Sequence, residues 1–238
     1  MSRPVVAAFD FDGTLTRGGS VWPYLSAMAG PVKVFLAGLV VSPKLVWAAL
    51  VGGGAADRAK EALFTRTLAG MDATELEGRS TVFGEAHYRR HGRGDVRARL
   101  EWHRSQGHSI VIVSASPVMY VGAIATALGA DGVLATRLES DGEGRITGRY
   151  DGGNCRGQEK ATRLAGWIDS HVRPGSGDEP FVWAYGNSAG DLQLLTASDI
   201  GVDAGRLGRL GRLRRFPRLA DVCRSDGTTG SGRVKAER

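Results

Sequence analysis

The chain is short of the residues that mark several large classes of protein. Only two of its 238 residues are cysteine, Cys155 and Cys223, too few for a disulfide framework or a four-cysteine zinc site. A reducing cytoplasm is the expected compartment. The five histidines, His87, His91, His103, His108 and His171, contain no His-Glu-x-x-His pattern, which removes that metal motif. His87 and His91 stand four apart beside Arg89, Arg90 and Arg93, so the group reads as a solvated basic helix face. The opening apolar run, Val5 to Phe9, stops at Asp10 and Asp12, too soon for a secretory leader. The longest apolar stretch, Val32 to Val51, approaches the length of a bilayer span but is broken by Lys33, Pro43 and Lys44; two short helices packed as a hairpin are expected there.

Hydrophobic residues make up 42% of the chain, enough for one sizeable domain with a substantial core. The net charge of +6 is unevenly placed, because ten Lys/Arg and three Asp/Glu fall from Ala204 onward. Residues 1–203 are therefore close to neutral and the C-terminal part is basic. That distribution gives no reason to expect a nucleic-acid partner for the body. The arginines at 206, 209, 212, 214, 215 and 218, with leucines at 207, 210 and 213, read as a charged terminal helix packed on the body. Residues 221–238 are expected to be a disordered tail.

Three short apolar runs, Pro4 to Phe9, Ser109 to Val113 and Pro180 to Tyr185, have the character of parallel strands buried on both faces. Each ends in polar residues. Helical spacing follows at Val118 to Leu128, Glu159 to Ile168 and Asp191 to Ala197, and Gly142-Glu143-Gly144 reads as a hairpin turn. Alternating strands and helices predict an α/β fold: a doubly wound parallel-sheet, Rossmann-like core. About ninety residues separate the first strand from the second, with helical patterning at Ala55 to Leu68 and Thr74 to Tyr88. An inserted helical cap domain is the expectation, with the core at 1–16 and 93–220 and the cap at 17–92.

The polar strand ends carry the candidate chemistry, because open parallel sheets bind ligands beyond the carboxyl ends of their strands. Asp10-Phe11-Asp12-Gly13-Thr14-Leu15-Thr16 places two carboxylates two residues apart at a strand end. Their repulsion calls for a hard cation or a shared proton. The first could attack phosphorus and the second could act as general acid and base. Ser114 precedes Ala115-Ser116-Pro117, where a hydroxyl and successive amides can hold an anion, although a serine there is by itself an ordinary helix cap. Lys160 begins a helix, against the helix dipole, as a lysine facing an anion would. Asn187 and Asp191, in Gly186-Asn187-Ser188-Ala189-Gly190-Asp191, offer oxygens for a hard cation.

In this order the four elements resemble the motifs of the haloacid dehalogenase superfamily of aspartyl phosphatases, over nearly the whole chain to about Val202. The segments Val113 to Pro117 and Thr147-Gly148-Arg149 through Gly153-Asn154-Cys155 to Lys160 are similar to its phosphoserine phosphatase-like subclass IB. The resemblance implies a phosphatase acting on a small phosphorylated metabolite, phosphoserine being the first choice. Asp10 would be the nucleophile and Asp12 the general acid and base. Ser114 and Ala115 would bind the phosphoryl group with Lys160, which also offsets charge on Asp10. Mg²⁺ would be held by Asp10, the Asp12 carbonyl, Asn187 and, directly or through water, Asp191. One departure stands out: Asn187 occupies a position where the superfamily usually has aspartate, which implies weaker metal binding. Asp12 argues against dehalogenase chemistry. A competing expectation is a binding or regulatory protein with weakened catalysis that meets an anionic partner through its basic C-terminal segment. Arg58, Lys60 and Arg66 are candidates to meet an anionic substrate from the cap, and the Val32 to Val51 stretch is a secondary candidate for contact with a membrane or a lipid-like substrate.

Overall fold

The computed structural model describes residues 3–51, 54–176, 178–205 and 211–225, with only the backbone course at 43–51, 175–176 and 211–212. Six strands form one sheet: β1 (Val5–Phe9), β2 (Ser109–Pro117), β3 (Gly132–Ser140), β4 (Ile146–Asp151), β5 (Phe181–Gly186) and β6 (Ile200–Asp203), in the order β4-β3-β2-β1-β5-β6. All neighbours are parallel except β4, which returns antiparallel along β3. The helices in chain order are α1 (Val21–Ala29), α2 (Pro31–Val51), α3 (Ala55–Leu68), α4 (Ala73–His91), α5 (Gly94–Ser105), α6 (Val118–Ala127), α7 (Gln158–His171), α8 (Arg173–Ser176), α9 (Leu192–Ala197) and α10 (Leu219–Ser225).

The unbroken apolar sequence of β1 follows from its place between β2 and β5. Ala7 and Phe9 join a cluster with Val96 and Leu100 of α5 and Tyr120, Val121 and Ile124 of α6. Val6 and Ala8 join the opposite cluster with Leu164 and Ile168 of α7 and Leu194 and Leu195 of α9. Helices thus cover both faces of the sheet, as a doubly wound fold requires. The central position of β1 puts Asp10, its next residue, at the middle of the carboxyl edge.

Helices α1 to α4 lie between β1 and α5, and the chain leaves and re-enters through a two-stranded stem. Thr16 and Gly92 form an antiparallel bridge, with the Arg17 amide donating to the His91 carbonyl (2.8 Å) and the Arg93 amide to that of Leu15 (2.9 Å). Arg93 is buried and donates to the carbonyls of Gly13 and Ala204, so the stem is tied to the turn after β1 and to the loop after β6. A second tie comes from the β3–β4 hairpin. Gly70 donates to the Ile146 carbonyl (2.9 Å), Ile146 to that of Met71 (2.8 Å) and Ala73 to that of Gly144 (2.9 Å). Tyr24, Leu25, Leu63, Phe64 and Leu68 share the cluster that covers Ala7 and Phe9, so these helices and the sheet form one apolar interior.

Four features differ from expectation. His87 and Arg93, read with their neighbours as a solvated basic face, are buried. Residues 31–51 form one continuous helix instead of two. Pro43 lacks the N–H that would bond the Leu39 carbonyl, and Ser42 Oγ donates to that carbonyl instead (2.9 Å). Strand β2 runs past Ser114 to Pro117, with its register along β3 shifting between those residues. Residues 221–225, expected in an unstructured tail, close α10, where Leu219 and Val222 are buried. The remainder of that tail, 226–238, and the basic residues at 206–210 lie outside the described residues. Nearby, Leu213 packs into the apolar interior while Arg214, Arg215 and Arg218 are exposed.

Gly148 on β4 has φ +79°, and a Cβ there would stand 2.3 Å from the Thr65 Cα on α3. Only glycine lets the hairpin approach the helix backbone this closely. Gly148→Ala is expected to destabilise the protein by more than about 1 kcal/mol, seen as a lower urea midpoint.

Candidate active site

The turn after β1 carries both acids. Asp10 N donates to the Tyr185 carbonyl of β5 (2.9 Å), which prolongs the sheet pairing by one residue. Gly13 then turns the chain at φ +81°, and a Cβ on it would lie 2.1 Å from the Asn187 amide. The glycine is therefore needed both for the turn and for the close approach of the loop after β5.

Lys160, in the first turn of α7, reaches into this edge. Its Nζ donates to Asp10 Oδ1 (2.5 Å) and Asp191 Oδ1 (2.6 Å), and all three side chains are at most 7% exposed. The structure thus brings together acids 181 residues apart in sequence around one ammonium group. Burial raises the Asp10 carboxyl to about 7, with the Asp191 charge adding to the rise and Lys160 opposing it. For Asp191, burial pushes the same way, but Lys160 and the Ser188 donors outweigh it and hold the carboxyl below its ordinary value. Burial likewise works against the Lys160 charge, yet the two carboxylates keep its ammonium above the ordinary lysine value.

Asp12 points to different partners. Its Oδ1 accepts from the Ser20 amide (2.7 Å) and its Oδ2 from the Ser116 hydroxyl. Ser116 Oγ lies 3.4 Å from Ser20 Oγ, itself 2.7 Å from the Tyr120 hydroxyl. Hydroxyls can donate or accept, so this chain accommodates Asp12 in either protonation state. Ser114 is buried, and its Oγ accepts from the Ser116 amide (3.0 Å).

Asp10, Asp12, Ser114, Ala115, Lys160 and Asp191 line one cavity of about 100 Å³, closed by Arg156, Ser188 and Gly190. Larger hollows of about 420 and 610 Å³ lie elsewhere, lined in part by Glu85 and Ile124 and by Glu77 and Arg137; they lack this convergence of acids, lysine and hydroxyls.

Asn187 supplies the test for a cation. One heavy atom of its side-chain amide sits 3.2 Å from Asp10 Oδ2 and 3.0 Å from the Asp12 carbonyl. With nitrogen turned there, the amide donates to both. With oxygen turned there, Thr14 Oγ1 donates to it (3.3 Å) and three acceptor oxygens face one another. Adjacent oxygens around an octahedral Mg²⁺ are about 2.9 Å apart, so the residues fit that ion. The donor set is mixed, which is why no cluster of three His, Cys, Asp or Glu suited to a metal occurs among the described residues. Asp191 stands beside this oxygen set: its Oδ2 accepts from the amides of Asn187 (3.1 Å) and Ser188 (3.0 Å) and from Ser188 Oγ (2.8 Å). It holds the Asn187 backbone and adds negative charge.

Sequence reasoning missed Ser20 and Arg156, and quoted Ser116 only as a neighbour of Ser114. Lys60 was expected, with Arg58 and Arg66, to meet an anionic substrate from the cap. From α3 it donates to the Ala115 carbonyl (2.6 Å) and to Asn154 Oδ1 (3.4 Å), and burial lowers its ammonium to about 8 against the pull of Asp12 and Asp57. Arg58 and Arg66 are exposed. No local pattern separates these three cations; their fates depend on which face of α3 meets the core.

Fold and site define an α/β protein whose acids and lysine converge at the carboxyl edge of a largely parallel sheet. The profile of the haloacid dehalogenase-like hydrolases matches residues 7–196. Protein CicA of Caulobacter vibrioides is 36% identical over 197 residues, covering 83% of this chain and 84% of that protein. The chain belongs to the haloacid dehalogenase-like hydrolases. Among solved structures, a protein of unknown function from Bordetella pertussis Tohama I superposes with a TM-score of 0.71 at 21% identity, covering 95% of this chain and 97% of the other. A substrate-bound phosphoserine phosphatase superposes at 0.58 with 16% identity, over 85% of this chain and 87% of that one. These likenesses show a shared fold.

The raised Asp10 carboxyl gives a stability test. Its unfolded value is 3.8 and its folded value about 7, so its contribution is fully present below pH 3.8 and is lost as pH rises through 7. In the presence of a chelator the protein is expected to lose on the order of 3 kcal/mol between pH 5 and pH 8 from this group. Thermal melts should show the fall in wild type and a flatter profile in Asp10→Asn.

Proposed function

We propose that the protein is a Mg²⁺-dependent phosphomonoesterase that works through an aspartyl-phosphate on Asp10, with a small phosphorylated metabolite as substrate and phosphoserine as the first candidate. The observation that carries this reading is the buried Lys160 bridging Asp10 and Asp191 beside the Asp10, Asp12 and Asn187 oxygens. Buried Asp10 and Asp191 share the single ammonium of Lys160 while the Asp12 carbonyl and the Asn187 amide face the same point, an arrangement that a structural ion pair alone does not call for. We place the reaction in the cytoplasm, in keeping with the scarcity of cysteine. No helix among the described residues is long and apolar enough to cross a membrane.

Asp10 adds to phosphorus through a carboxylate oxygen while the bond to the ester oxygen breaks. Asp12 gives its proton to that leaving oxygen. The Ser20 amide and the Ser116 hydroxyl hold the acid in place through this change. Asp12 then takes a proton from water, the water oxygen adds to phosphorus, and the acyl phosphate opens to return Asp10 and release inorganic phosphate. Lys160 offsets charge on Asp10 and on the phosphoryl oxygens, and Ser114 with the amides after it receives the remaining oxygens. Asp10, the Asp12 carbonyl and Asn187 would hold Mg²⁺, which would supply charge neutralisation and orientation of the phosphoryl group.

Hydrolysis of an aryl phosphate is expected to require Mg²⁺ and to vanish in Asp10→Asn. Asp12→Asn should lower kcat by about 10² to 10⁴; unchanged turnover would remove Asp12 from its role. If wild type and Asp10→Asn are equally inert across divalent metals, the binding or regulatory reading replaces this one. Because a carboxylate attracts Mg²⁺ more strongly than an amide, Asn187→Asp should reduce the Mg²⁺ concentration for half-maximal activity, measured by metal titration of the same assay.

A further inference from the structure

Over residues 31–42 helix α2 is apolar on two opposite faces, and among the described residues only one is covered. Val34, Ala37 and Val41 are buried at 2%, 7% and 1% exposure, the spacing of a helix seated on its neighbours. On the other side Val32, Phe35, Leu36, Leu39 and Val40 are 54 to 71% exposed, and Trp22 of α1 extends the patch at 48%. Trp22 belongs to the same surface, since a Cβ on Gly38 would stand 3.1 Å from its ring. Isolated apolar side chains on a surface need no explanation, but a contiguous stripe of six marks a contact site.

The charge around the stripe selects the occupant. Residues 13–56 contain no Asp or Glu, while Arg17, Lys33 and Lys44 fall within them. On the neighbouring helix α3, Arg58 and Arg66 are exposed. An apolar helix face with aromatic and leucine side chains, in a stretch without acids and beside the exposed Arg58 and Arg66 of the neighbouring helix, has the chemistry of a helix lying in the interface of an anionic bilayer. A second copy of the chain fits less well. Six side chains at these exposures offer on the order of 600 Å², below the roughly 800 Å² per partner of a standard interface, and pairing two copies would set like charges together. We propose that α2 docks the protein on an anionic lipid surface, lying on the bilayer through Val32, Phe35, Leu36, Leu39 and Val40 without crossing it. The docked face adjoins the site, since Trp22 lies two residues beyond Ser20, whose amide holds Asp12 (2.7 Å).

The full-length protein can be sedimented with vesicles of phosphatidylcholine alone and of phosphatidylcholine mixed with phosphatidylglycerol. Wild type should bind the mixed vesicles, more weakly at high salt, and Leu36→Glu/Leu39→Glu should lose about tenfold or more in affinity. Both positions are exposed, so circular dichroism and hydrolysis of a soluble aryl phosphate should match wild type, which separates lost docking from lost folding. The assay does not use turnover and can be run equally with Asp10→Asn, so it stands or falls apart from the phosphatase reading. The proposal is overturned if the double variant binds as tightly as wild type, if neutral vesicles bind as well as anionic ones, or if no vesicle is bound. It is also overturned if sedimentation equilibrium finds a dimer that the same substitutions dissociate, or if the face retains another protein while vesicles are ignored.

Discussion

The ion triple of Lys160 with Asp10 and Asp191 is the constraint around which the site is organised. A lysine sealed from solvent is costly unless its charge is met, and two carboxylates in the same enclosure are costly unless theirs is. Each member makes the others tolerable, and none could keep its charge there alone. Three separate parts of the fold must therefore meet: the end of β1, the first turn of α7 and the capped turn after β5. On the proposed reading, the carboxylates gathered around that ammonium make the place receptive to a divalent ion and, with it, to a phosphoryl group.

The sheet supplies the precision. Because β1 has paired neighbours on both sides, Asp10 inherits a backbone held by β2 and β5. Asp12, two residues later, is instead fixed from the inserted helices through Ser20 and from β2 through Ser116. The two acids are thus held by different bodies of structure, one by the sheet edge and one partly by the insertion. That division suits the tasks proposed for them, since a nucleophile needs a fixed position and an acid a partner that can follow its proton.

Much of the chemistry was legible because it is local. Asp10, Asp12, Ser114, Lys160, Asn187 and Asp191 are short polar interruptions after apolar strands or at helix starts, and the strand order places all of them at one edge. The mixed nature of the oxygen set was also readable, since Asn187 stands in plain view in its loop. Ser20, Arg156 and Arg93 were not, because nothing in their immediate sequence distinguishes them from ordinary cap or surface residues; their partners are up to 111 residues away. For helices the errors came from treating proline as a break. Pro43 leaves one carbonyl without its usual donor, and a neighbouring serine repairs it, an exchange invisible to a rule about residue types. Strand β6 and helices α1 and α5 went unremarked, since their patterns are short or strongly polar and acquire meaning only from the faces they cover.

The lacing of the inserted helices to the β3–β4 hairpin bears on how reactants come and go. Three main-chain bonds join residues 70–73 to residues 144–146, a tie separate from the Thr16–Gly92 stem. An insertion anchored at both margins cannot swing away like a door on one hinge. On the proposed reading, reactants would reach Asp10 through small local yielding between those anchors, beside Arg156 at the wall of the cavity.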